Sequence, residues 1–282
     1  MKDNQISWEQ AVSNLRSDET QQQLVNDCYF DLPLTKAALR FEQSEEWQET
    51  KKILAKNLPG KILDIGSGNG IASFAFARIG CETYALEPDS SQTVGAGAIK
   101  TLATENELEI KVVETFGESL PFDDNFFDVV YCRQVLHHAR DLELLCKESF
   151  RVLKTGGLFL ATREHVINTE NDLQVFLQNH PLHSLYGGEN AYQLPVYKHA
   201  IMNAGLELIK VWGPHDTAIN YYPIKTSDMK DRLSIKLSKF IPGNIAQKLI
   251  DNPFILGILR RGMTQVDNTP GRLYSFLAIK NK

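Results

Sequence analysis

Asp64, Gly66, Gly68 and Gly70 occupy alternate positions in Lys61-Ile-Leu-Asp-Ile-Gly-Ser-Gly-Asn-Gly70. Glycines in such a turn bring the backbone close to a ligand and take positive φ without steric cost. The apolar run from Ile71 to Ile79 predicts a helix whose first amides point into the turn. This is the pattern of a site for a nucleoside-bearing cofactor. A dinucleotide fingerprint would place its third glycine one residue later, where Ile71 stands. A carboxylate at the end of the preceding strand would also repel a pyrophosphate, whereas it suits an ammonium group. Glu87 ends a second strand over Glu82 to Leu86, where a carboxylate can accept bonds from both ribose hydroxyls. His137 and His138 follow a strand from Phe127 to Cys132, Glu164 and His165 follow the next strand, and His183 lies in a polar loop. Histidine titrates near neutral pH and can take a proton from an acceptor hydroxyl, although each of these also reads as a packed strand-end residue.

With Asp64-x-Gly66-x-Gly68-x-Gly70, Glu87, the link Gly117-Glu-Ser-Leu-Pro-Phe122, the strand end Leu136-His-His138 and the run Arg151-Val-Leu-Lys-Thr-Gly-Gly-Leu-Phe-Leu-Ala161, the chain resembles the class I S-adenosylmethionine-dependent methyltransferases. Within them it resembles the bacterial branch acting on small molecules, quinones, lipids and glycans. The resemblance covers roughly residues 54–163. It implies S-adenosylmethionine as cofactor, held by Asp64, Gly66, Ser67, Gly68, Gly70, Glu87, Pro88, Phe116, Gly117, Glu118, Arg133 and Gln134. The sulfonium carries an activated methyl, so what is asked of the protein is alignment of an acceptor lone pair with the methyl–sulfur bond. Phe116 departs from the family, which has an acid there. The resemblance therefore implies a stacking role for Phe116, with Gly117 or Glu118 giving polar contact to the adenine.

These residues need a scaffold. Strand–helix alternation over 54–165 argues for a mostly parallel sheet with helices on both faces. The resemblance implies seven strands in a doubly wound order, with the last, Leu273 to Ile279, antiparallel and Leu206 to Trp212 before it. Residues 1–50 are polar and helix-prone, with Ser7-x-x-Gln10 resembling a capping box, and the resemblance makes them a lid; within them Arg40 reads as a surface residue or a partner for a ligand carboxylate. Residues 51–282 form the main domain: a motif core (54–165), a candidate substrate loop (166–205) carrying His180, His183, Tyr186 and Glu189, and a basic helical cap inserted over 213–270. The cap reads as two helices, one around Asp231 to Phe240 and one from Asn244 to Arg261.

The 282 residues carry a net charge of −5, yet residues 225–282 hold eleven Lys/Arg against four Asp/Glu. An acidic body is unlike a general nucleic-acid binder, so no nucleic acid is expected. Basic amphipathic helices over 226–262 would cover the sheet, or lie on an anionic membrane. The start, Met1-Lys-Asp-Asn-Gln-Ile-Ser, has no apolar h-region and no run is long enough to span a bilayer, which reads as cytoplasmic. Cys28, Cys81, Cys132 and Cys146 are scattered and read as reduced thiols. No metal is expected, because the neighbours His137/His138 or Glu164/His165 rarely point at one ion.

The expectation is methyl transfer to a small-molecule or carrier-linked (glycan or lipid) acceptor, at oxygen rather than carbon or nitrogen. A base would come from His137, His138, His165 or His183. A catalytically silent S-adenosylmethionine-binding partner protein, or a C- or N-methyltransferase of a quinone or other metabolite, stays open. The sequence sets neither the acceptor nor the oligomeric state.

Overall fold

Each apolar strand of the core divides its residues between two faces. A computed structural model describes residues 6–281; residues 1–5, where the predicted lid begins, and Lys282 lie outside the described residues. Four helices come first: α1 (Trp8–Ser17), α2 (Gln22–Asp27), α3 (Leu34–Gln43) and α4 (Glu45–Leu54). Ser7 caps α1, its hydroxyl accepting from the Gln10 amide. Gln10 donates its side-chain amide onward to Asn14. Pro33 and the segment from Tyr29 separate α2 from α3, and Ser44 caps α4 by accepting from the Trp47 amide.

The alternating core follows as β1 (Lys61–Ile65), α5 (Ile71–Arg78), β2 (Glu82–Leu86), α6 (Ala96–Glu105), β3 (Ile110–Val113), β4 (Phe127–Arg133), α7 (Leu142–Val152) and β5 (Leu153–Ile167). The remainder comprises α8 (Glu170–Asn179), α9 (His183–Tyr186), β6 (Tyr192–Gln193), α10 (Leu194–Asn203), β7 (Glu207–Trp212), α11 (Ala218–Tyr221), α12 (Thr226–Leu237), α13 (Gly243–Asp251), α14 (Pro253–Val266) and β8 (Arg272–Ile279).

The strands run β3-β2-β1-β4-β5-β8-β7 across the sheet, and the two-residue β6 pairs with the end of β5, which makes eight strands. Pairings from β3 to β5 are parallel, while β8 is antiparallel to both neighbours. The order reverses beside β1, between β1 and β4, and such a switch point is where open α/β sheets bind ligands. Side chains of successive residues leave a strand on opposite faces. Ile62, Val129, Tyr131 and Leu160 pack with Phe74 and Phe76 of α5 and with Phe41 and Trp47. Leu63, Val130, Cys132 and Phe159 pack with α7 and α10 on the other face. Burial on both faces explains why these strands read as continuous apolar runs.

The cap differs from its sequence reading. The stretch expected as one helix from Asn244 to Arg261 is broken into α13 and α14 at Asn252-Pro253. Proline is tolerated only in the first turn of a helix, and the Asn252 side chain accepts from the amides of Phe254 and Ile255. Tyr221, Met229, Leu233, Ile250 and Leu256 form a small core of their own inside the cap.

Candidate active site

At the β1 carboxyl end the chain leaves the sheet through Gly66, at φ +64°, and enters α5 through Gly70, at φ +84°. A Cβ on Gly66 would lie 2.7 Å from Val135 Cγ2, so the turn is both left-handed and crowded. The amides of Gly66 and Ser67 bond to the Leu86 carbonyl and fix the turn against β2. Asp64 is buried on the α5 face, where its Oδ2 accepts from Ser73 Oγ at 2.5 Å. Its Oδ1 is buried with no hydrogen-bond partner. Burial pushes the Asp64 carboxyl up to about 6, against the pull of the Ser73 bond and of the Arg133 charge, while the Ser67 hydroxyl donates to the Asp64 main-chain carbonyl. A buried carboxylate oxygen without a donor costs free energy until a donor arrives, and an ammonium fits that need.

Glu87 follows β2. Its two oxygens accept from the Gly68 amide at 2.7 Å and the Asp89 amide at 3.0 Å, which hold the carboxylate beside the turn. Burial pushes it up to about 7, opposed by those amides. On the far side Phe116 is 42 % exposed, and the Arg140 guanidinium stacks on it at 3.7 Å. One Glu118 oxygen is engaged by the amides of Arg140 and Asp141. Gly117 is close-packed, since a Cβ there would lie 3.1 Å from both Ile65 and Leu145.

Arg133 ends β4. It donates to both oxygens of the fully buried Glu46 of α4, at 2.7 and 3.1 Å. Arg163 lies 3.9 Å from the same carboxylate. Arg133 therefore lines the cavity with its charge already matched, and it ties the N-terminal helices to the sheet. Arg40 pairs with Asp31 at 2.5 Å and donates to the Asn26 carbonyl. Asn69 makes a second tie, donating to the Tyr29 carbonyl at 2.7 Å.

A β-bulge builds the opposite wall. The pairing of β5 with β8 slips between Ala161 and Glu164, and Arg163 sits there at φ +62°. Bulges re-aim side chains. Glu164, completely buried, accepts from the amides of Val135 and His137 and pairs with His137 Nδ1 at 2.6 Å. Burial pushes Glu164 up to about 7 against those amides, and holds His137 well below its ordinary value and neutral. His138 Nδ1 meets the Gly188 carbonyl at 3.1 Å and His165 Nδ1 the Gly271 carbonyl at 2.8 Å. A ring nitrogen facing a carbonyl must carry the proton, so in the neutral form of each ring it is the Nε2 lone pair that is free. Burial also lowers His165 far below its ordinary value. Glu189 Oε2 stands 3.8 Å from His137 Nε2 and 3.6 Å from His138 Nε2.

Both walls belong to one cavity of about 460 Å³. Of the residues expected to hold a cofactor, Asp64, Gly66, Ser67, Gly68, Glu87, Pro88, Phe116, Gly117, Glu118, Arg133 and Gln134 line it, and Gly70 does not. His137, His138 and His165 line it too, whereas His183 in α9 is off the wall. The sequence reading did not place Trp8, Leu24, Cys28 and Phe30 here, nor Asn69, and it left Glu189 and His180 as loop residues. An apolar residue in a lid gives no local signal of facing a ligand. Glu189 is buried beside three imidazoles by a loop whose path no spacing rule predicts.

The sequence profile of a methyltransferase domain matches residues 63–161. The uncharacterized methyltransferase YcgJ of Bacillus subtilis (strain 168) is 34% identical over 101 residues, which is 36% of this chain and 39% of that protein. A ubiquinone biosynthesis O-methyltransferase of Bartonella tribocorum is 34% identical over 36% of this chain and 40% of its own length. The match thus spans about two fifths of these relatives. The crystal structure of a provisional sarcosine dimethylglycine methyltransferase from Galdieria sulphuraria superposes with a TM-score of 0.56 at 20% identity, over 88% of both chains, a likeness of fold. The glycine turn, Asp64 and Glu87 thus sit in a methyltransferase domain over residues 63–161, similar to those of S-adenosylmethionine-dependent methyltransferases.

Proposed function

We propose that this protein transfers a methyl group from S-adenosylmethionine to a hydroxyl oxygen of a small-molecule or carrier-linked acceptor. The observation that carries the reading is the single cavity with an unsatisfied carboxylate oxygen at one end and free imidazole nitrogens at the other. When bound, S-adenosylmethionine supplies an activated methyl on a sulfonium. Asp64 Oδ1 takes the ammonium of the amino-acid end, and Glu87 takes the ribose hydroxyls. Phe116 packs on the adenine by the face that Arg140 leaves free, and Gly117 supplies the polar contact. His138 accepts the hydroxyl proton at Nε2 and, being exposed, passes it to water. Such a base adds typically 10²–10⁴-fold. The O-methyltransferase of ubiquinone biosynthesis is similar in sequence and the provisional sarcosine dimethylglycine methyltransferase in fold, so the choice of oxygen rests on the imidazole wall.

Calorimetry with S-adenosylhomocysteine and an acceptor screen with methyl-labelled donor test the reading together. The expected result is one donor site per chain and label on a hydroxylated acceptor, lost in His138→Gln. Failure of S-adenosylhomocysteine to bind would refute it.

A second contact is favoured by the cap. Phe240 and Phe254 are 86% and 76% exposed among the basic residues of α12 to α14. We infer that this face meets an anionic membrane surface, which would bring a lipid-linked acceptor to the cavity.

A further inference from the structure

The histidine wall holds more nitrogen lone pairs than a single proton transfer uses. One ligand atom each from His137, His165 and Glu189 lies within 4.8 Å of the other two, and all three residues are buried. They come from three separate places in the chain: the turn after β4, the bulged end of β5, and the loop after α9. Their outer partners are already in place. His137 Nδ1 is held by Glu164 at 2.6 Å, His165 Nδ1 by the Gly271 carbonyl at 2.8 Å, and Glu189 Oε1 by the Tyr186 hydroxyl at 3.2 Å. Metal-binding histidines almost always have such a partner on the second nitrogen, because it fixes the tautomer and the ring direction. Here His137 Nε2 stands 3.8 Å from Glu189 Oε2, and His165 offers a ring nitrogen within 4.8 Å of both other ligand atoms. His180 Nδ1, 3.9 Å from Glu189 Oε1 and without any hydrogen-bond partner, offers a fourth nitrogen.

We propose that His137, His165 and Glu189 bind a divalent first-row transition cation of the Zn²⁺ class, with its open positions facing the cavity. Two imidazoles and one carboxylate select such a cation over Mg²⁺, which prefers oxygen ligands and retained water. Tetrahedral ligands each about 2.0–2.1 Å from Zn²⁺ stand roughly 3.4 Å apart. The 3.8 Å between His137 Nε2 and Glu189 Oε2 needs a shift of a few tenths of an ångström, and the atoms of the trio, within 4.8 Å of one another, must draw in by up to about 1.4 Å to reach that spacing. Ions reach the site through the cavity that all three residues line.

The proposal rests on the methyl-transfer reading for its role, which is to hold the acceptor. A hydroxyl oxygen on the cation becomes a stronger acid, as water does on zinc. Its O–H bond breaks, the proton goes to His138 Nε2, and the electron pair stays on the bound oxygen. The acceptor class is thereby narrowed to molecules that can ligate through a hydroxyl, best of all through two neighbouring oxygens.

Chelator-stripped protein is titrated with Zn²⁺ by calorimetry and with Co²⁺ by visible absorption, and S-adenosylhomocysteine binding is measured on the same samples. One Zn²⁺ per chain is expected, with Co²⁺ bands of a low-symmetry nitrogen and oxygen site. Glu189→Gln and His165→Gln should each weaken Zn²⁺ by more than the ~10–100-fold typical of losing an outer partner. Glu164→Gln should fall in that range, and retained S-adenosylhomocysteine affinity shows that the variants fold. The proposal is overturned if the wild type takes up no stoichiometric Zn²⁺ and gives no Co²⁺ bands, or if folded variants bind Zn²⁺ as the wild type does. The Co²⁺ spectrum of the wild type decides the matter even where a variant fails to fold. Zn²⁺ uptake without S-adenosylhomocysteine binding would keep the site and remove the methyl-transfer reading.

Discussion

In the proposed reading, Asp64 concentrates the donor-binding logic in one side chain. Its carboxyl is buried, pushed up to about 6, and has one oxygen with no donor. Binding an ammonium favours the charged carboxylate, so donor binding must release the proton whenever Asp64 carries one. The sign follows from linkage: the Asp64 contribution is full above pH 6 and falls as pH drops through it, toward about tenfold per unit. Glu87, pushed up to about 7 by burial, adds a shallower fall in the unit above. Calorimetry with S-adenosylhomocysteine from pH 5 to pH 8 should trace this curve. Asp64→Ala should weaken binding by about 100-fold, some 3 kcal/mol, and remove the step near pH 6. A flat pH profile in the wild type would mean that Asp64 does not meet the ammonium.

Helix α4 and strand β4 are joined by the buried pair of Glu46 and Arg133, with Arg163 close behind. Removing one partner of such a pair strands the other charge. Glu46→Gln should therefore cost about 3–5 kcal/mol in urea unfolding, far more than the loss of an exposed ion pair. An unchanged midpoint would show that the clamp contributes nothing. At this scale the sequence is legible where structure is local. The strands, the glycine turn and the α5 start come from short-range patterns, and the sheet order from the resemblance. Two features were not legible. The break at Asn252-Pro253 was overrun because the apolar stretch after it continues the helical pattern, although Asn252 and Pro253 are themselves a helix-start signal. The bulge at Thr162 and Arg163 is created by pairing with β8, more than a hundred residues on, and no local pattern encodes it. Glu164 faces His137 because of that bulge. Arg133, expected beside the cofactor, lines the cavity while pairing with Glu46, and Arg40, which the sequence left open between a surface residue and a ligand contact, pairs with Asp31.

On the scale of the molecule, charge is segregated. Residues 225–282 carry a net charge of +7, so the rest carries −12. No helix among the described residues is long and apolar enough to cross a membrane. Protruding aromatics amid basic residues would nevertheless hold the protein on an anionic surface. Vesicles containing phosphatidylserine should sediment the protein at low salt, and phosphatidylcholine vesicles should not. Phe240→Ser combined with Phe254→Ser should release it without changing S-adenosylhomocysteine affinity; equal retention of the double variant would exclude this face. The N-terminal helices have another bearing on how the protein works. Trp8, Leu24, Cys28 and Phe30 line the same cavity as the glycine turn, and Asn69 ties that turn to the Tyr29 carbonyl. One wall of the cavity is thus made from the part of the chain farthest in sequence from the cap, and in the proposed reading it roofs the reaction. Were this roof to lift for each exchange of product, solvent friction would act on that step, whereas it leaves a bond-making step untouched. Turnover should slow in proportion to added sucrose viscosity, while a single round of transfer from preloaded protein keeps its rate.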